Sequence, residues 1–176
     1  MNGRIVRQNA GVKEQEARGA VRNTFVNDDT TYGCDETSYI VLKNAYALPN
    51  PHDSGPAMAL NGGVAYQGGI CGALSGAALA VGQLAAQRID DHATAKRVAR
   101  GLMQQVIDDF ENRYGSIECR ELTGFDLRQP GEHDRFIAAG VWKTACAAQV
   151  EFAVVELAEL SDEGAWEQAI AGLEDN

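Results

Sequence analysis

Hydrophobic residues recur every three or four positions along much of this chain, which is the spacing of one face of an α-helix. The clearest series is Val98, Leu102, Val106 and Phe110, with charged residues on the opposite face. Gly115 follows this series, and glycine readily adopts the left-handed conformation of a helix C-terminal cap. The segment therefore predicts a long amphipathic helix that buries one face.

Other segments show the same periodicity more weakly. The first is a stripe of Ala17, Val21 and Phe25. The second is a helix with Ser38, Leu42 and Tyr46, which is capped by Thr30, Thr31 or Asp35 and ended by Pro49 and Pro51. Further along the chain follow an apolar run from about Ile70 to Arg88, a long series from about His133 to Leu160, and a short last helix capped by Ser161 or Asp162. The pattern predicts an all-α fold, a single-domain helical bundle of about five to six helices over residues 1–176. Residues 1–12 are expected to form a disordered N-terminal arm.

Residues 61–83, NGGVAYQGGICGALSGAALAVGQ, join a glycine-rich loop to an apolar run. The loop lacks the G-x-x-x-x-G-K-[ST] pattern of a phosphate-binding loop, and no predicted strand precedes it. The apolar run is too short to predict a membrane-spanning helix. Gly72, Gly76 and Ala80 repeat every four residues, so one side of this helix carries almost no side chains and permits close approach. Either another helix of the chain or a second copy in a homodimer could pack there.

The 176 residues carry a net charge of -10, with 45% hydrophobic and 23% charged residues. These fractions are ordinary for a globular protein. The excess of acidic groups repels phosphate backbones and anionic membranes, so we expect no nucleic-acid partner and no membrane insertion. The segment MNGRIVRQNAGVKEQEARG lacks the apolar core of a secretory signal, and the expected location is cytoplasmic.

Four cysteines, Cys34, Cys71, Cys119 and Cys146, are spread along the chain. Thiols stay reduced in the cytoplasm, so these cysteines predict no disulfide framework. None forms a CxxC pair, which argues against a zinc ribbon, a thioredoxin-type motif and haem attachment through CxxCH. Cys71 falls at a predicted helix start, where unpaired amide groups and the helix dipole favour a thiolate. Cys146 falls on an apolar stripe, where cysteine is also an ordinary core residue.

The segment CGALSG, Cys71 to Gly76, preceded by GGVAYQGGI, resembles the signature of the redox-active C-GCAxxG-C-C family. Proteins of this family are small and mostly helical, with one cysteine before the motif and two after it. The resemblance covers about residues 30–160, with Cys34 as the first cysteine, Cys71 in the motif, and Cys119 and Cys146 as the third and fourth. It implies a redox site in which the four cysteines bind an iron–sulfur cluster. The related split-Soret cytochromes also carry haem, but this chain has no CxxCH.

Three hypotheses remain open at this point. The first is a redox protein that binds an iron–sulfur cluster, or another metal, through Cys34, Cys71, Cys119 and Cys146, and that transfers electrons to a redox partner protein or senses redox state. The second is a metal-free dithiol–disulfide protein in which Cys71 is the nucleophile. The third is a non-catalytic helical scaffold whose cysteines are core residues.

Overall fold

The computed structural model describes residues 10–27, 29 and 31–174, which form eight α-helices and no strand. The helices are α1 Ala10–Phe25, α2 Cys34–Ala45, α3 Gly72–Arg88, α4 His92–Tyr114, α5 Cys119–Thr123, α6 Glu132–Ala138, α7 Ala147–Ala158 and α8 Glu163–Glu174. The predicted all-α class is confirmed. There are more helices than the predicted five to six because two of them are short. Helix α5 lies in a predicted connection, and α6 forms the start of the predicted long helix from His133. Helix α1 begins at Ala10, so the predicted arm is helical at its end, and residues 1–9 lie outside the described residues.

The long amphipathic helix is α4, and its ends follow the sequence signals. Asp91 caps its start by accepting a hydrogen bond from the Thr94 backbone N–H at 2.8 Å. Gly115 caps its end with a φ of 82°, which is the left-handed conformation that favours glycine. The predicted stripe is buried, with Val98 1% and Phe110 0% exposed.

Helix α2 lies in the centre of the molecule, packed against α1, α3 and α7. Its cap differs from the prediction, because Gly33 precedes the helix and its N–H donates to the Glu36 carboxylate at 2.9 Å. The helix therefore begins at Cys34, after the predicted cap Thr31, while Thr30 lies outside the described residues. Asp35, the third candidate, is a buried residue of the first turn.

The small-residue side of α3 packs inside the molecule, against α2. A side chain at Gly76 would overlap the backbone carbonyl of Asp35, and one at Gly72 would overlap the Cys34 sulfur. This face is therefore used for an internal contact, which is one of the two alternatives that the sequence left open, and a homodimer stays a prediction. Within the described residues, no helix has the length and apolar character needed to cross a membrane.

The predicted continuous helix from His133 to Leu160 is wrong. Helix α6 ends at Ala138, and Gly140 follows with a φ of 67°. The chain then forms one turn of π-helix over Trp142–Cys146 and continues as α7. A left-handed glycine interrupts a helix, since right-handed helices need negative φ, and a π turn inserts one extra residue into the hydrogen-bond pattern.

The last helix, α8, begins as predicted after Asp162, which accepts a hydrogen bond from the Ala165 N–H at 3.0 Å.

Helix α1 is fixed to α7 by charge as well as by apolar contacts. Glu151 accepts hydrogen bonds from Arg18 and Arg22 at 2.9 and 2.8 Å, and its side chain is 11% exposed. A carboxylate this buried needs such partners, because its charge is otherwise removed from water without compensation.

Candidate redox site

The structure places each cysteine at a change in backbone conformation. Cys34 is the first residue of α2, Cys71 is the N-cap of α3, Cys119 is the first residue of α5, and Cys146 ends the π turn before α7. All four are free thiols; Cys34 is partly buried and the other three are buried. The four side chains therefore belong to four separate elements, which only the folded chain can bring together.

Cys71 and Cys119 are connected by a short antiparallel β-bridge. Ile70 pairs with Glu118, the Cys71 N–H donates to the Ile117 carbonyl at 2.8 Å, and the Cys119 N–H donates to the Gly69 carbonyl at 2.7 Å. In this register the two cysteines are diagonal neighbours on the same side of the bridge.

Cys34 lies directly against the start of α3. Its Sγ occupies the space that a side chain at Gly72 would need, and the backbone N–H of Asp35 lies beside the same position. Cys34 and Cys71 are therefore held close to each other by the contact between two helix starts. Glycine at position 72 makes this approach sterically accessible.

Cys146 is positioned by the π turn rather than by regular helix. The first residue of this turn, Trp142, packs edge-on against Phe25 of α1, with ring centroids 6.0 Å apart. π turns are rare and occur frequently at functional sites, since they redirect side chains that a regular helix would place elsewhere. The sequence stripe through Trp142 and Val150 does not reveal this turn.

The electrostatic environment shows that the structure brings all four thiols together. Burial raises the pKa of Cys34 well above its usual value, and repulsion from Cys71, Cys146 and Cys119 raises it further. Burial raises the pKa of Cys71 and of Cys146 to about 12, again with contributions from the other cysteines. Across these groups, every pair of the four cysteines interacts electrostatically.

Nearby hydrogen-bond donors lower the pKa values of two cysteines, but they do not cancel the effect of burial. Burial raises the pKa of Cys71, whereas the backbone N–H groups of Ala73 and Leu74 in the first turn of α3 lower it. Burial likewise raises the pKa of Cys119, against the hydroxyl of Thr123. The expectation that the helix start favours a thiolate at Cys71 is therefore correct in sign for the amide groups, but burial has the larger effect.

Two further side chains at the site were not recognised from the sequence. Gln149 of α7 is buried, and its Oε1 lies 3.7 Å from the Cys71 Sγ. Asp35 is 0% exposed, and no hydrogen bond of good geometry reaches either of its carboxyl oxygens. Burial raises the pKa of this carboxyl to about 6, and the nearby backbone N–H groups of Glu36, Asp35 itself and Leu60 lower it only weakly. The position of Gln149 three residues after Cys146 is a signal that could have identified it.

The four thiols are near one another but do not form the coordination sphere of a single ion. No group of three or more His, Cys, Asp or Glu side chains within residues 10–27, 29 and 31–174 is arranged to hold one metal ion. A single zinc ion requires sulfur ligands at about 2.3 Å, which places the sulfurs much closer together than electrostatic interaction requires.

The loop before Cys71 has an unusual backbone. Residues 62–66 have positive φ throughout, including Val64 at 63° and Tyr66 at 62°. Internal hydrogen bonds hold this left-handed turn, among them the Tyr66 N–H to the Asn61 carbonyl at 3.1 Å. Such conformations cost about 1–2 kcal/mol per non-glycine residue. The turn delivers the chain to Gly69, which pairs with Cys119.

Residues 32–160 match the family described as "Putative redox-active protein (C_GCAxxG_C_C)". The match covers more than half of the chain, and this protein belongs to that family. It includes all four cysteines and excludes α1 and α8. No curated protein and no solved structure matches the chain.

Proposed function

We propose that Cys34, Cys71, Cys119 and Cys146 hold an iron–sulfur cluster, and that the protein transfers electrons to a redox partner protein or senses redox state. The observation that supports this proposal is that the fold places the four thiols, three buried and one partly buried, where each acts electrostatically on the others. Four cysteine thiolates are the usual ligand set of such clusters. The proposal places the protein in the cytoplasm, where these thiols would remain reduced.

Four cysteines on four separate elements are compatible with a cluster that contains several irons. In a cluster with several irons, different thiolates bind different irons, so the sulfurs are farther apart than around one ion. The described residues gather four thiols without arranging three of them around one point. When bound, the cluster would supply one-electron chemistry, and the chain would supply its ligands and surroundings.

The residues around the thiols have defined roles in this proposal. The N–H groups of Ala73 and Leu74, at the start of α3, lower the pKa of Cys71, against the larger effect of burial. The Thr123 hydroxyl donates to the Cys119 carbonyl at 2.7 Å and lowers the pKa of that cysteine. Polar groups close to a ligand sulfur stabilise negative charge on it and tune the potential. Because burial keeps the free thiols protonated, ligation requires each of them to release its proton. Uptake of iron should therefore be accompanied by proton release.

The test is purification without air, followed by iron and sulfide analysis and visible absorption. Replacing each cysteine in turn by serine should reduce bound iron and visible absorption relative to the parent protein. Ser75→Ala is a matched control in the same turn as Cys71, because the Ser75 hydroxyl donates only to the Gly72 carbonyl at 3.3 Å. A colourless protein with four titratable thiols after cluster reconstitution would contradict the proposal.

A second candidate, a metal-free dithiol–disulfide couple, is favoured by the β-bridge between Cys71 and Cys119. Their oxidation would form one S–S bond, release two protons, and transfer two electrons to a partner disulfide, which is reduced to two thiols. A disulfide between them requires a Cα separation of about 4.4–6.8 Å.

A redox titration of the metal-free protein tests this second candidate. A two-electron couple that is lost in Cys71→Ser and in Cys119→Ser, but kept in Cys34→Ser, would support it. The couple should be absent altogether if the cysteines act only as cluster ligands.

A further inference from the structure

Exposed apolar side chains are concentrated on one side of the candidate site. In residues 10–27, 29 and 31–174, six large hydrophobic side chains are exposed, and one of them, Tyr32, lines a groove between α1 and α2. The other five lie on the segment that precedes Cys71 or on α6. These five, which we call the apolar patch, are Met58, Val64, Tyr66, Ile70 and Ile137. An exposed group of apolar residues is typical of a surface that another protein covers.

Ring and backbone contacts connect the two parts of the apolar patch. The Tyr66 ring lies 5.4 Å from the ring of His133 on α6, measured between centroids. Ile137 follows His133 by one helical turn, so the two side chains share one side of α6. At the other end of the patch, Ile70 pairs with Glu118 in the β-bridge of the candidate site. The patch therefore extends from α6 to the wall of the candidate site.

Helix α6 gains little support from the described part of the chain. It has seven residues, and none of them is buried. Its ring contacts with other segments are those of His133 with Tyr66 and of Phe136 with Phe125, the latter at 5.7 Å. A helix this short is not stable in water without tertiary contacts. A second protein surface placed on Tyr66 and Ile137 would supply further contacts of this kind.

The distribution of charge favours a second copy of this chain as the covering surface. The chain carries a net charge of -10, so two copies repel each other in most orientations. Residues 54–87, which include four of the five patch residues, contain no Asp, Glu, Lys or Arg. The edge of the patch carries both signs, since Glu132 pairs with Arg135 on α6 and the Arg120 side chain lies beside Gly68. Two copies can therefore meet there without placing acidic surfaces against each other.

We propose that the apolar patch is the interface of a symmetric homodimer, in which the same residues of two copies meet about a two-fold axis. Such an interface is self-complementary, so every patch side chain contributes twice. Burial of these side chains stabilises the dimer in proportion to the apolar area removed from water. This surface differs from the small-residue side of α3, which packs inside the molecule against α2.

The interface would cover one wall of the candidate site. Ile70 belongs both to the apolar patch and to the β-bridge, whose backbone hydrogen bonds hold Cys71 and Cys119. Association of two copies therefore opposes separation of these two segments. The proposal does not rest on the proposed function, because it requires neither a metal nor oxidation of a thiol.

Size-exclusion chromatography with multi-angle light scattering tests the proposal on the full, metal-free chain. A thiol reductant is present, which excludes disulfides between copies. At micromolar concentrations the parent should have twice the mass of one chain. Tyr66→Ser and Ile137→Ser, made separately, should each raise the dimer Kd about 30-fold, as expected for a large side chain at the centre of an interface. Sedimentation velocity over a dilution series measures this Kd.

Tyr32→Ser is the matched control, because it removes a tyrosine of similar exposure outside the apolar patch, 38% against 40% for Tyr66. It should leave the Kd unchanged. Tyr66 and Ile137 lie on different elements, so one variant decides the question if circular dichroism shows that the other does not fold. A parent that stays monomeric at its highest soluble concentration overturns the proposal. A dimer whose Kd is the same in both patch variants as in Tyr32→Ser also overturns it.

Added salt provides a second readout. Apolar contacts do not weaken with salt, and screening reduces the repulsion between two acidic chains. Raising the NaCl concentration from about 0.15 M to about 1 M should therefore lower the Kd or leave it unchanged. Dissociation of the dimer at the higher concentration would identify a contact held by charge and would overturn the proposal. Iron analysis of protein purified without air tests the proposed function separately, so either proposal can fail while the other stands.

Discussion

The four cysteines are held by two regions that fix their positions in different ways. Cys34 and Cys71 lie where α2 and α3 meet, and these two helices form the most extensive contact between any two elements of the described chain. Cys119 and Cys146 lie on the five-residue helix α5 and on a π turn. Helix α6, which leads to that turn, buries none of its residues. The first region is held by close packing, whereas the second is held by a few backbone and ring contacts.

The glycines of the two regions show the same difference. In the first region, Gly72 and Gly76 are needed because no space remains for a side chain. In the second region, Gly140 has a φ of 67° and open space around its Cα, so it is needed for its conformation alone. A site of this kind combines one rigid pair of cysteines with one pair whose position depends on local backbone geometry.

The strongest way to break the rigid region is Gly76→Ala. The new Cβ would overlap the Asp35 carbonyl oxygen and the adjacent backbone, which cannot move without displacing α2. We expect a loss of about 3 kcal/mol in the free energy of unfolding, at the upper end of overpacking effects. Urea denaturation followed by circular dichroism measures it.

Gly82→Ala on the same helix is the matched control for that experiment. A Cβ at Gly82 has no atom within 4 Å, so the substitution should stabilise the protein by about 0.5–1 kcal/mol through helix propensity alone. Equal effects of the two substitutions would show that the close contact of α2 and α3 does not limit position 76.

A second test in the same region concerns the buried carboxyl of Asp35, in the metal-free protein. Burial raises the pKa of Asp35 from 3.8 to about 6 in the folded state, so the folded protein binds this proton more tightly than the unfolded chain. The resulting stability is present below about pH 4 and is lost as the pH rises through 6, by about 3 kcal/mol in all. Asp35→Asn should remove this loss, so its stability advantage over the parent grows between pH 4 and pH 7.

Urea denaturation at several pH values measures the Asp35 effect. Asp109→Asn, on the exposed side of α4, is the control for removal of one carboxylate. Parallel stability curves of the parent and Asp35→Asn between pH 4 and pH 7 would argue that this carboxyl is not perturbed by burial.

The second region should respond more weakly to the corresponding glycine substitution. Gly140→Ala introduces no steric overlap, and its cost is that of a left-handed alanine, about 1 kcal/mol. Thermal denaturation checks the stability, and alkylation of Cys146 checks whether the π turn keeps its position. A loss as large as that of Gly76→Ala would mean that the two regions are equally constrained.

The smallest effect is expected at the left-handed turn before Cys71. Val64 is 46% exposed and has a φ of 63°, so Val64→Gly removes strain while sacrificing little packing. We expect a gain of about 0.5 kcal/mol after the entropy cost of glycine in the unfolded chain. Thermal denaturation beside Ala59→Gly, a nearby exposed control without positive φ, measures it.

Regular periodicity predicted the helices that pack by one face. The stripe of Val98 to Phe110 and the cap at Gly115 describe α4 correctly, because both signals are local. The same reasoning failed after His133, where apolar residues kept helical spacing although Gly140 interrupts the helix. Periodicity reports which residues face the core and does not detect one inserted residue or one left-handed glycine.

The candidate site was predictable in its cysteines but not in its surroundings. The motif CGALSG and the order of the cysteines indicated the family, which the match over residues 32–160 confirms. The pairing of Ile70 with Glu118 and the contact of Gln149 with Cys71 depend on residues far apart in the chain. Asp35 was predicted to be a helix cap. Its burial results from the close approach of α3, which no local sequence pattern shows.

The β-bridge also gives the site a measurable opening rate. The amide hydrogens of Cys71 and Cys119 are both donated across the bridge, at 2.8 and 2.7 Å. Separation of these two segments, which would expose the two sulfurs to a reagent or a partner, must break both bonds at once. Deuterium uptake at these two amides therefore times the same motion that governs access to the site, and correlated exchange of the pair would identify that motion as one event.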